Sequence, residues 1–142
     1  MPLVGGGGSP NVTGANPAGT GGGLNYIGNH CYAFSGAFEA TTSAQTMLQF
    51  TTANAYAVAK LTVSGAIDSA TAGNGLSTVF VVSVNSEEVL RIKVDTDQED
   101  SPTLEVVPLL LEPYSKIEVT SISNGDVSSR KTTAAIVGRV YA

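Results

Sequence analysis

The chain has 142 residues, carries seven basic against twelve acidic side chains for a formal net charge of −5, and contains one Cys and no Trp. Seven dispersed cations form no patch for neutralising a run of phosphates, and apolar runs such as 79–82 and 106–111 fall far short of the roughly 20 residues of a membrane helix. Nucleic acid and bilayer are therefore not expected partners, and a lone Cys31, which excludes an intramolecular disulfide, leaves packing to stabilise one domain.

Residues 1–29 read as an extended N-terminal arm. They contain no charged side chain apart from the terminus, and Gly5, Gly6, Gly7, Gly8, Gly14, Gly19, Gly21, Gly22 and Gly23 alternate with Pro10, Pro17 and several Asn. Ordering such a backbone costs about 1–2 kcal/mol per residue, which an arm with so few large side chains cannot recover alone. A partner must supply the surface. Small uncharged residues suit main-chain hydrogen bonding along another protein's sheet edge or groove, with Met1, Leu3, Val4 and Val12 as apolar anchors. Tyr26, His30 and Tyr32 would then join the arm to its domain. The N-terminus shows neither a basic n-region nor an apolar h-region, so no secretory signal is expected.

From residue 30 the pattern changes to period-two alternation rich in Val, Thr, Ser and Ile, the signature of an all-β domain spanning 30–142. Residues 30–39 form a first strand with Cys31, Ala33 and Ser35 on one face and Tyr32, Phe34 and Gly36 on the other. Residues 45–52 and 55–64 give two more, separated at Ala53-Asn54. Residues 68–77 are turn chemistry around Gly73, Asn74 and Gly75. Residues 77–84 and 89–94 flank Asn85-Ser86-Glu87-Glu88 as a hairpin. A strand at 103–111 follows an acidic turn, and Glu112-Pro113-Tyr114 redirects the chain into 115–123, with Ile117, Val119 and Ile122 on the buried side. Asn124-Gly125-Asp126 breaks that strand, and 131–141 closes the chain. The count is eight strands, for which a jelly-roll β-sandwich is the expected architecture. An immunoglobulin-like sandwich is the alternative, although it would lack its disulfide and Trp.

Chemistry-bearing groups are sparse. Asp95, Asp97, Glu99 and Asp100 crowd oxygen ligands into one turn and are the candidate Ca²⁺ site, but an EF-hand would need Gly and Glu where Asp100 and Val106 stand. A solvated acidic turn between strands is the favoured reading, and no metal is expected. His30 and Cys31 are neighbours on a strand and so point to opposite faces, and no second His or Cys completes a zinc set. No nucleophile has a base in its sequence context, and no glycine cluster carries the ending of a phosphate loop. Neither enzymatic activity nor a cofactor is expected. The aromatic residues Phe50, Tyr56, Phe80, Tyr114 and Tyr141 fall about one per strand, as core or rim residues would.

The segments VPLLLEPYSKIEVTSIS and TTAAIVGRVYA resemble the closing strands of jelly-roll domains in tailed-bacteriophage virion proteins. An extended arm followed by a jelly roll is similar in plan to capsid decoration (cement) proteins. That resemblance implies a structural virion protein, a homotrimer on the capsid surface, assembled in the host cytoplasm, whose arm clamps neighbouring copies of the major capsid protein. It carries no catalytic residue. The rival expectation is a receptor- or glycan-binding tail or fibre module, with its site in the loops at 68–77 or 95–101.

Overall fold

A computed structural model describes residues 24–66, 77–95 and 103–141. These form ten strands and no helix: β1 (Asn25–Ile27), β2 (His30–Phe34), β3 (Phe38–Ala40), β4 (Gln45–Thr51), β5 (Tyr56–Ala66), β6 (Ser77–Val84), β7 (Glu87–Asp95), β8 (Thr103–Leu111), β9 (Lys116–Ser123) and β10 (Val127–Tyr141). The first sheet runs β1-β2-β10-β5-β8, with β3 also paired to β10, and the second runs β4-β9-β6-β7; every pairing is antiparallel.

The ten strands replace the eight expected, for local reasons. Residues 30–39 are not one strand: the chain breaks at Ser35-Gly36-Ala37, where Gly36 adopts φ 75°, a conformation a strand cannot hold. The added β1 lies within the segment read as arm. Its three residues are too few to register as alternation, and it joins β2 through a two-residue turn with Gly28 at φ 57°.

Counting β2 and β3 as one interrupted strand and β1 as an added edge, the pairing is nested. The first strand pairs with the last (β2/β3 with β10), the second with the seventh (β4 with β9), the third with the sixth (β5 with β8) and the fourth with the fifth (β6 with β7). Two further ladders, β10 with β5 and β9 with β6, gather these pairs into the two sheets. Such a chain is a long antiparallel ribbon folded over itself.

Both sheets contribute their inner faces to one core. Cys31, Ala33, Ala59, Leu61, Val63 and Ile136 from the first sheet meet Met47, Leu48, Phe50, Phe80, Val82, Ile117 and Val119 from the second. Burying one such aliphatic or aromatic side chain is worth about 1.5–3 kcal/mol, so the shared core is what makes the two sheets a sandwich. Two features adapt the backbone to it. The Asn85-Ser86 turn has φ 52° and 70°, the doubly left-handed geometry whose twist matches a tight hairpin. Gly138 lies opposite Ala59, where an added Cβ would come within 2.6 Å of the Ala59 Cα, so β10 and β5 approach more closely than any side chain allows.

One inward assignment is corrected. In β9 the alternation continues without a bulge, so Ser121 and Ser123 face inward and Ile122 faces out, 41% exposed. The buried serine is tolerated because Thr78 and Ser123 hydroxyls share a 2.7 Å hydrogen bond, which satisfies polar groups that the core would otherwise penalise.

Candidate functional site

The expected partner-binding residues Met1, Leu3, Val4, Gly5–Gly8, Val12 and Gly21–Gly23 lie outside the described residues, as do Asp97, Glu99 and Asp100 of the acidic turn and the greater part of the two loops proposed for glycans. Asp95 is the last residue of β7. Among the described residues no group of three or more His, Cys, Asp or Glu side chains is arranged to hold a metal ion.

The junction between arm and domain is described in full, and it is a built anchor. Leu24, which alternation could not single out at the end of a glycine-rich run, is only 2% exposed and belongs to the core. Tyr26 packs against that core, and its Oη accepts a hydrogen bond from the Ala53 N–H at 3.3 Å. Burial pushes the Tyr26 phenol up from its ordinary pKa, a shift the Ala53 bond partly offsets. The Asn29 carbonyl accepts the Val140 N–H at 2.7 Å, which ties the β1–β2 turn to the last strand. The chain therefore enters the sandwich through a hydrophobic plug and two hydrogen bonds, at the edge of the first sheet.

His30 and Tyr32 are brought close to this anchor with different roles. His30 is exposed and lies opposite Arg139 of β10. Tyr32 is half-buried, with its ring 5.3 Å from that of Phe34 on the outer face of the first sheet. Cys31 between them is fully buried, and desolvation pushes its thiol up to about 11 despite a hydrogen bond from the Gly138 backbone. A thiol held neutral in this way is an apolar core group, not a nucleophile.

The aromatic residues spaced one per strand divide between the core and rim positions expected of them. Phe50 and Phe80 are buried as expected, but Tyr56, Tyr114 and Tyr141 are exposed. Tyr56 and Tyr141 are opposite one another on β5 and β10. Tyr114 is 72% exposed in the turn after β8 and has φ 56°, the left-handed region that costs a bulky residue on the order of 1 kcal/mol. The turn is held from behind: the Tyr114 N–H donates to the Ala53 carbonyl at 3.0 Å, beside the strand start that carries Tyr56. Searches of known protein families, curated proteins and solved structures return no match to this chain.

Proposed function

We propose that this chain is a structural virion protein, a capsid decoration or cement protein whose jelly-roll sandwich is held on the assembled shell by its N-terminal arm. The nested pairing of first strand with last through fourth with fifth supports the jelly roll, the eight-stranded double Greek key, with β1 as an added edge and the β2/β3 break as a local interruption. The observation that carries the function is the anchor. Leu24 and Tyr26 fasten residues 1–23, which carry no charged side chain, to the margin of the sandwich, an investment suited to a segment that bears load between two bodies. A ligand that binds only the assembled shell stabilises it by mass action, which is the physical role of a cement protein. The major capsid protein and further copies of this chain are the partners on this reading.

The experiment mixes the full chain, and a version lacking residues 1–23 but retaining Leu24 and Tyr26, with undecorated capsids and counts copies that co-sediment. Stoichiometric binding by the full chain, lost without the arm, is the expected result. Equal binding by both forms, or by neither, rejects the arm-borne cement role.

One observation favours a glycan-binding module as the second reading. Tyr56, Tyr114 and Tyr141 expose their rings around one end of the sandwich, and exposed aromatic faces are what stack on pyranose rings. On that reading a soluble affinity for oligosaccharide persists when residues 1–23 are removed.

A further inference from the structure

The two sheets of the sandwich differ in the faces they turn outward. On the second sheet the outward residues include Gln49, Lys116, Glu118, Glu88, Arg91 and Lys93, and Arg91 and Glu88 close a two-bonded ion pair at 2.8 and 2.9 Å. That face mixes these charged groups with Val79, Val81 and Ile122, so its apolar residues lie among fixed charges of both signs. On the first sheet the cross-strand rows read Tyr141–Tyr56, then Arg139–Val58–Leu110, Val137–Lys60–Pro108, Ala135–Thr62–Val106 and Thr133–Ser64–Leu104. Tyr32 and Phe34 extend the third and fourth of these rows onto β2. Among the described residues of these rows the fixed charges are Lys60 and Arg139, and the row beyond Thr133 adds Lys131, paired with Glu39 at 3.1 Å.

Its apolar side chains are about half exposed, Leu110 most at 63%. Eight side chains of this size present on the order of 800 Å², above the patch of a few hundred Å² found on ordinary monomers and equal to one partner's share of a standard interface. The edges of the same sheets are treated differently. β1 has three residues, β4 and β7 carry bulges opposite β9 and β6, and β8 contains Pro108, which has no N–H to offer a new strand. Every edge is blunted, whereas the face is left bare.

We infer that the outer face of the first sheet is a self-association surface that receives a second copy of this chain, face against a different surface of the neighbour. Area and charge both select this occupant. Lys60 and Arg139 are diagonal neighbours in the middle of the patch, so a two-fold contact of face on face would crowd four cations into a desolvated centre. A head-to-tail contact instead sets them against the neighbour's carboxylates, which a chain with twelve acidic and seven basic residues has in excess. Head-to-tail contacts that close make rings, which gives an interface to the homotrimer that the resemblance to decoration proteins implies. The inference rests on the self-association part of the proposed function and not on its capsid part.

Sedimentation velocity of the full chain at tens of micromolar tests it. The expected species is a closed trimer, converted to monomer by Leu110→Asp and by Val137→Asp, with Lys60→Glu weakening assembly at least tenfold. Because all three sites face outward, circular dichroism of each variant should match the parent; if an Asp variant misfolds, Lys60→Glu and the isosteric Val137→Thr carry the decision. A monomeric parent chain overturns self-association altogether. A trimer indifferent to the face variants overturns this face while leaving self-association standing, and a two-fold dimer overturns the head-to-tail arrangement.

Discussion

Cys31 has neighbours that make its chemistry a matter of stability. It faces inward from β2, wholly removed from solvent, and its thiol is pushed up to about 11 from an ordinary value of 9.0, with desolvation as the main cause. The folded state therefore holds the proton more tightly than the unfolded chain. Between pH 9 and 11 the unfolded chain binds fewer protons than the fold, so stability present below pH 9 is lost as pH rises through this window. Two pK units correspond to about 2.7 kcal/mol. Tyr26, whose pKa is also raised by burial, acts in the same direction at the alkaline end. Urea titrations at pH 8 and pH 11 should show the parent losing on the order of 2–3 kcal/mol more than Cys31→Ala. Equal losses in both proteins would remove Cys31 as a source of alkaline sensitivity. The burial of this side chain was legible in the alternation of HCYAFS, because parity alone places Cys31, Ala33 and Ser35 together. The same parity carried on from Ile117 and Val119 turns Ile122 outward; what it does not show is the partner that makes an inward Ser123 tolerable, since Thr78 lies far away in the chain.

At the scale of elements, the connections do as much as the strands. Thr52, 4% exposed just after β4, donates from its Oγ1 to the Glu112 carbonyl at 2.6 Å and accepts the Ser115 N–H at 2.8 Å. Its own N–H donates to the Ser115 carbonyl at 2.9 Å. One side chain thus joins the β4–β5 connection to the β8–β9 turn and holds the strained Tyr114 between them. Thr52→Val keeps the shape and removes both side-chain bonds, leaving a buried N–H and a carbonyl without their partner. The cost should be about 1–3 kcal/mol, seen as a melting temperature lower by roughly 3–10 °C. Thr51→Val, next door and exposed, serves as the comparison and should melt within about 1 °C of the parent. An equal drop in both would show that strand propensity and not the Thr52 bonds is at stake. Turns of this local kind were visible in the sequence: Asn85-Ser86-Glu87-Glu88 and Glu112-Pro113-Tyr114 announce themselves by composition, although the hairpin is tighter than expected and β7 already begins at Glu87. The short β1 and β3 were not, because three residues give no periodicity to detect.

The molecule as a whole is a folded-over ribbon whose first and last strands are neighbours, and this was the least legible level. Alternation says which face of a strand is inward, but it does not say that β10 will lie between β2 and β5. Nor does it distinguish an apolar residue turned to the core from one turned outward on an unguarded face, which is why Tyr56 and Tyr141 were read as core or rim. The same architecture sets where the domain begins. Leu24, Tyr26 and the Asn29–Val140 bond belong to the sandwich, so its stability should depend on where a truncation stops. Removing residues 1–23 should leave the melting temperature within about 2 °C of the full chain, followed by circular dichroism because the chain lacks Trp. Removing residues 1–27 also takes away the buried Leu24, the Tyr26 contact and the edge strand. A loss on the order of 3–5 kcal/mol and a drop of about 10 °C or more should follow. A large drop already at residue 23 would mean that the arm supports the fold itself, and loss of capsid binding in that truncation would then report a weakened domain instead of a missing tether.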